Sequence, residues 1–297
     1  MKKIFYIIIF SILSLATPAK AETVLEIEPL FEYPVAPEEL ISLNERCNYL
    51  VKNFWNGFDF KRKQAVDQIA LNDAFHVYAS TIPYASAKEV NQSVDKLIKN
   101  ISGNPVMLLQ FCKAAEVNLY GPMADIWSDE VYLKFLDAVI KNKKIEEKRK
   151  LRYINQANAL KESAVGNTAP TFWFQDKERA SKQYFPMSTP TLLIFGDPED
   201  TDWRLDRLRM DSNFKLAEAI DKGKINVLYI VTKPDNNWQN TVSNYNKKWT
   251  VGQSEDVVKE YDIRLNPSIF VVSTEGKIIQ KNKSVDSSVN TVLGLIE

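Results

Sequence analysis

The chain has 297 residues, of which 45% are hydrophobic and 26% charged, with 38 basic and 38 acidic side chains and one histidine. That length fits two domains, and the composition excludes extensive disorder. A formal net charge of zero gives no electrostatic case for nucleic-acid binding, and one histidine excludes a multi-histidine metal site within the chain.

Residues 1–21 read as a signal peptide. Lys2 and Lys3 are basic, residues 4–15 are apolar, and Ala19 and Ala21 place small residues at −3 and −1 of a cleavage site. The apolar stretch falls short of the roughly 20 residues a bilayer span needs. No cysteine lies at the cleavage site for lipid attachment. The expectation is a periplasmic protein starting near Glu22, with 35 basic and 38 acidic residues and no later membrane span. Residues 22–36 hold Pro29 and Pro34 and read as an extended lead-in.

Residues 37–162 read as an all-helical domain. Pro37 suits a first helical turn, and Leu40, Leu43, Cys47, Leu50 and Phe54 recur at spacings of three and four. Similar stripes cover residues 65–82, 90–101, 106–120, 131–140 and 153–160, about six helices in all. Turn chemistry at Pro83, Gly103-Asn104-Pro105 and Gly121-Pro122 separates them. The basic run over residues 141–150 reads as a solvated helix face.

Residues 163–297 change character. Runs at 191–195, 225–231 and 268–272 are short, β-branched and almost wholly apolar, as suits central strands covered on both faces. Between the first two, residues 203–222 read as one helix with Leu205, Leu208, Leu216, Ala217 and Ile220 as its apolar positions. Strand–helix–strand order implies parallel pairing. Gly276 marks a hairpin turn between Val272 and Ile278, and residues 286–296 a closing helix. The order β–α–β–α–β–β–α describes a small mixed sheet flanked by helices, hence an N-terminal all-α domain followed by an α/β domain.

That second domain resembles the thioredoxin fold in its exported TlpA-like branch. The resemblance is carried by Gly166-Asn-Thr-Ala169-Pro170-Thr-Phe172, by Leu193-Ile-Phe195-Gly-Asp197-Pro198, and by Tyr261-Asp-Ile-Arg-Leu-Asn266-Pro267-Ser-Ile-Phe270 followed by Glu275-Gly276-Lys277. Trp238 and Trp249 also fall where secreted relatives place tryptophan. The helical half, with Asn53-Phe-Trp-Asn-Gly-Phe-Asp-Phe60 and Asn118-Leu-Tyr-Gly-Pro122, resembles a domain of unknown function often fused to such domains. The resemblance implies a cis-proline at Pro267 beside the redox motif. It also implies Cys-x-x-Cys at the start of the helix that follows Asp197-Pro198, where the helix dipole stabilises a thiolate. This sequence has Asp200 and Trp203 at those two positions, so they cannot perform thiol–disulfide exchange.

The remaining chemistry has mostly structural readings. Cys47 and Cys112 both lie on apolar stripes of the helical half, as separate buried thiols, a disulfide permitted by an oxidising compartment, or a thiol pair assembled across helices. The acids Asp197, Glu199, Asp200 and Asp202 read as helix-start capping, with a hard-cation site as the alternative. His76 reads as a packing residue. No phosphate-binding glycine loop exists, and no cofactor is expected. Trp55, Trp127, Trp173, Tyr132 and Phe135 read as core or domain-interface residues. Pro267 serves either as a fold-maintaining turn or, with Asp200, Trp203 and Asn266, as a groove for an extended peptide. The expected function is thus binding of a protein or peptide partner without redox activity. The alternatives are an oxidoreductase using Cys47 and Cys112 or a partner's thiols, and metal binding at Asp197 to Asp202.

Overall fold

A computed structural model describes residues 29–186 and 188–297. The expected signal peptide and the start of the lead-in, residues 1–28, lie outside them. Leu30, Phe31 and Tyr33 pack on the helical core.

The first half is built from α1 (Leu43–Asn53), α2 (Gln68–Thr81), α3 (Ala87–Ile101), α4 (Pro105–Leu119), α5 (Asp129–Lys141) and α6 (Glu147–Glu162). Local chemistry sets several of their starts. Ser42 and Glu45 form a reciprocal capping box on α1, Asp67 caps α2, and Asn104 accepts from two amides of α4 ahead of Pro105. The Ser42 cap moves the first helix start from Pro37 to Leu43. Pro37 instead begins a turn in which its carbonyl accepts from Leu40 N–H at 3.2 Å, and Leu43 is exposed. One core joins the six helices and contains no residue beyond Leu160. His76 is not a packing residue. Its ring is exposed, with Nδ1 3.3 Å from Asn118 Oδ1 and Nε2 3.7 Å from Asp125. The basic run over 141–150 is mostly solvated, except that Lys150 is buried and donates to Glu147 at 2.7 Å.

The second half contains β1 (Phe172–Asp176), β2 (Ser181–Tyr184), β3 (Thr191–Gly196), α7 (Thr201–Ser212), α8 (Phe214–Asp221), β4 (Asn226–Val231), α9 (Trp238–Thr241), β5 (Thr250–Gln253), β6 (Ser268–Val272), β7 (Ile278–Lys281) and α10 (Val285–Gly294). The sheet order is β2-β1-β5-β4-β3-β6-β7. Strands β3, β4 and β5 run parallel, with Leu193 beside Leu228, and β6 pairs antiparallel with β3. Every residue of β3 is buried, and separate apolar clusters cover its two faces.

Three strands are additional to the sequence expectation. Ser181–Tyr184 is polar because it is an edge strand, and Phe172–Asp176 alternates buried with exposed, leaving Trp173 open to solvent. Thr250–Gln253 is short and contains Gly252, where a Cβ would fall 2.4 Å from Phe174 and 2.6 Å from the Gln175 carbonyl. The expected single helix over 203–222 is two. Asn213 ends α7 and its side chain caps α8, accepting from Leu216 N–H at 3.0 Å. On α7 the buried face is Trp203, Arg207 and Met210, while Leu205 and Leu208 are exposed.

Candidate functional site

Strand β3 ends at Gly196, where the chain turns through Asp197-Pro198-Glu199 into α7. A Cβ on Gly196 would meet Asn266 Oδ1 at 2.9 Å, so only glycine lets the Asn266-Pro267 loop come this close. The Asn266–Pro267 bond is cis. Asn266 Oδ1 accepts from Asp197 N–H at 2.8 Å and ties that loop to the end of β3.

Asp200 is the N-cap of α7, its carboxylate accepting from Trp203 N–H at 2.8 Å. That satisfies an amide which the first helical turn otherwise leaves unpaired. Trp203 is fully buried. Its indole stacks on Tyr229 with centroids 5.0 Å apart and planes 4° from parallel, and its Nε1–H donates to Tyr245 Oη at 2.8 Å. Arg207 covers the other side of Tyr245, with its guanidinium carbon 4.7 Å from the ring centroid, and pairs with Asp211 at 2.6 Å. Of the four groove candidates, Trp203 therefore offers no surface; it is a core anchor. Asn266 is exposed, and Asp200 and Pro267 are half-buried beside it.

The four acids of this turn do not converge. Asp197 accepts from Glu199 N–H at 2.9 Å and Asp200 faces the helix amide. Glu199 takes Arg204 at 2.5 Å on one oxygen and the Thr241 hydroxyl at 2.7 Å on the other. Among the described residues, no group of three or more His, Cys, Asp or Glu could hold a metal ion. Glu199, Arg204 and Thr241, together with Asn237, Asn240 and Tyr245, line an open cleft of about 480 Å³ beside the helix start. Sequence reasoning missed that cleft, since α9 contributes to it only through the fold.

Cys47 and Cys112 are free thiols in the helical half, both buried. Burial pushes each thiol upward from its ordinary range, and the nearby Glu116 carboxylate adds to the effect at Cys112. That favours the inert protonated form. No disulfide joins them.

The loop that carries Pro267 also reaches the helical half. Arg264 donates from Nη2 to Asp129 at 2.6 Å and from Nε to both Asp262 oxygens at 3.0 Å. Its guanidinium lies 4.3 Å from the Tyr120 ring centroid and 5.1 Å from that of Trp127. Lys281 bridges the same two carboxylates at 2.8 and 2.9 Å, and Asp262 N–H donates to Ser163 Oγ at 3.0 Å. Burial works against charge on Asp129, but Arg264 and Lys281 outweigh it and hold the carboxyl below its usual range. Trp127 thus serves the interface, as expected.

Fold and site define the class: a helical domain joined by ion pairs to a thioredoxin-like domain, with the Asp200 carboxylate capping α7 and the Trp203 indole buried in its first turn. Residues 14–163 match the family described as a domain of unknown function, DUF5106, and the chain belongs to that family. A thioredoxin-like protein from Bacteroides caccae superposes with a TM-score of 0.68 at 18% identity, covering 89% of this chain and 98% of its own. That likeness establishes the fold across both domains. Part of the chain overlaps a conserved protein of unknown function from Bacteroides fragilis (21% identity, 44% of this chain, 99% of that one, TM-score 0.41). It also overlaps the thioredoxin domain of a thiol-disulfide oxidoreductase from Bacteroides vulgatus (20%, 45% of this chain, 99% of that one, TM-score 0.39). No curated protein matches the chain.

Proposed function

We propose that this chain is an exported binding protein that uses the thioredoxin-like domain to hold an extended peptide or protein segment and performs no disulfide exchange. The observation that carries this reading is the occupancy of the two thiol positions. Asp200 spends its carboxylate on the helix amide, and Trp203 is locked in the core between Tyr229 and Tyr245. The neighbouring Asn266-Pro267 loop keeps an exposed edge beside the Glu199 and Arg204 cleft, and unpaired backbone at such an edge recognises extended chain. Export rests on the basic and apolar pattern of residues 1–21, and the domain division is placed near residues 162 and 163. Among the described residues, no helix is long and apolar enough to cross a membrane. Buried, unactivated Cys47 and Cys112 lend nothing to a thiol mechanism.

Three measurements test the proposal. The native protein should not accelerate insulin reduction by dithiothreitol above background, and real turnover would overturn it. A photoreactive residue at position 266 should crosslink a thiol-blocked unfolded polypeptide, whereas one at the exposed Lys222 should not. Equal labelling from both positions would sink the groove. Cell fractionation should find the protein in the periplasm with an N-terminus near Glu22.

A further inference from the structure

A groove of about 600 Å³ separates α4 from α6 on the helical half. Leu109 and Lys113 of α4 form one wall, and Lys148, Arg149, Leu151 and Tyr153 of α6 form the other. Contacts between the helices fix these walls. Glu116 of α4 holds Arg152 on one carboxylate oxygen and accepts from Gln156 Nε2 at 2.7 Å on the other. The floor is tied down by Gln110, which exchanges two hydrogen bonds with the backbone of Val66 at 3.1 and 2.5 Å. Its own carbonyl accepts from Gln68 Nε2 at 3.2 Å. The groove is therefore built in advance, and an occupant does not have to order it.

Its charge is one-sided. No carboxylate lines the groove, and Arg152 is already committed to Glu116. Among the described residues, Lys113, Lys148 and Arg149 are exposed and form no ion pair. Of the two acids that open α6, Glu147 is taken by Lys150 at 2.7 Å, and neither lines the groove. The positive end of the α6 dipole adds to the same sign. With 38 basic and 38 acidic residues in the whole chain, three unmatched cations in one concavity are a local excess. Leu151 stands 58% exposed among them, facing half-buried Leu109 across the groove. Charge complementarity selects an anionic occupant, and the leucines select among anions. A nucleic-acid strand brings phosphates but nothing aliphatic for Leu151, and a bilayer surface is too flat to enter a concavity between two helices. A polypeptide interleaves carboxylates and aliphatic side chains within one short stretch. We propose that this groove docks an acidic segment of a partner protein. Its carboxylates meet Lys113, Lys148 and Arg149, and its aliphatic side chains cover Leu109 and Leu151. The helical domain then has a recognition role of its own, which does not rest on the reading of the Asn266-Pro267 edge above.

The test uses the whole protein and a fluorescent peptide, Glu-Leu-Glu-Val-Glu-Leu, followed by anisotropy at low salt. Two companion peptides separate the contributions: one has glutamine for every glutamate, the other serine for every aliphatic residue. The acidic aliphatic peptide should bind at least tenfold more tightly than either. Lys148→Glu with Arg149→Glu should weaken it at least tenfold. Both positions are exposed and lie in the first turn of α6, where acidic side chains suit the helix dipole, so the variant should keep its fold. Leu151→Ser, also at an exposed position, should weaken binding severalfold. Neither variant should alter crosslinking from position 266. No binding of the acidic aliphatic peptide overturns the proposal, and so does binding that ignores the charge reversal. Equal affinity for the serine companion, or for a single-stranded oligonucleotide of equal charge, makes the groove a general anion patch and overturns it as well. Parallel loss of peptide binding and of crosslinking from position 266 would overturn the assignment of this site to the helical half.

Discussion

Asp262 and Asn266 lie four residues apart in one loop, and they work in opposite directions. Asn266 faces the start of α7, where polar groups are satisfied locally: a cap, a turn, an exposed Glu199–Arg204 pair. Asp262 is fully buried and faces the helical domain, within a network drawn from three distant stretches of chain. Exposed pairs contribute little, whereas removing one partner of a buried network leaves a charge without solvent or counterion. The loop therefore links a tolerant surface site to an unforgiving seam.

The largest effect should come from the seam. Arg264→Ala leaves Asp262 without its bidentate partner and Asp129 with Lys281 alone, and we expect a loss of about 3–5 kcal/mol in chemical denaturation. Arg264→Lys should recover only part, because an ammonium cannot reproduce the fork. A loss below about 1 kcal/mol would show that the seam is ornamental and the two domains are coupled elsewhere. At the other end of the loop, Trp203→Ala opens a cavity against Tyr229 and should cost about 3–5 kcal/mol. Installing Asp200→Cys with Trp203→Cys sharpens the contrast further. That variant should be less stable than the parent yet should gain insulin-reductase turnover, since a thiol at this helix start inherits the dipole and its amides. If the refolded double variant exchanges no disulfides, the absence of sulfur at these two positions is not what would keep the domain from disulfide exchange.

The two ends of the loop also differ in how far the sequence reveals them. Asp200 could be assigned as a cap, and Asn266-Pro267 placed beside it, because capping is local and the strand and turn motifs keep their order. The helices of the first half were legible through periodicity for the same reason. The role of Trp203 was not, since its stacking partner Tyr229 and its acceptor Tyr245 are distant in sequence. Leu205 and Leu208 misled for a related cause. Hydrophobicity on a helix marks a core face only when that face meets the sheet, and here Arg207 takes the buried position by lying on Tyr245. The seam was invisible: Asp129, Asp262, Arg264 and Lys281 look like ordinary surface charges until the fold gathers them. Ser181–Tyr184 escaped because its edge position removes the apolar pattern that identifies a strand, and Thr250–Gln253 because it is only four residues long and contains Gly252.

The seam should also give way to acid. Asp129 has its carboxyl held below the ordinary range by Arg264 and Lys281. Its folded value is lower than its unfolded value of about 3.9, so the stabilisation is complete above that pH and disappears as pH falls through the folded value. Stability measured between pH 5 and pH 2, a window of roughly three units around that value, should fall more steeply in the parent than in Asp129→Asn. Parallel slopes would remove Asp129 from the clamp.

The smallest effect belongs to the cap. Asp200→Ala removes one acceptor from Trp203 N–H, and we expect about 1 kcal/mol of lost stability, with Asp200→Asn close to the parent because an amide oxygen caps nearly as well. This modest number has diagnostic weight. If Asp200 contributes only a cap, both variants should retain peptide crosslinking from position 266. If Asp200→Asn keeps stability but loses crosslinking, the carboxylate charge itself contacts the bound segment, and recognition depends on a cationic or amide group of that segment. The site would then select its partner with the carboxylate that caps α7.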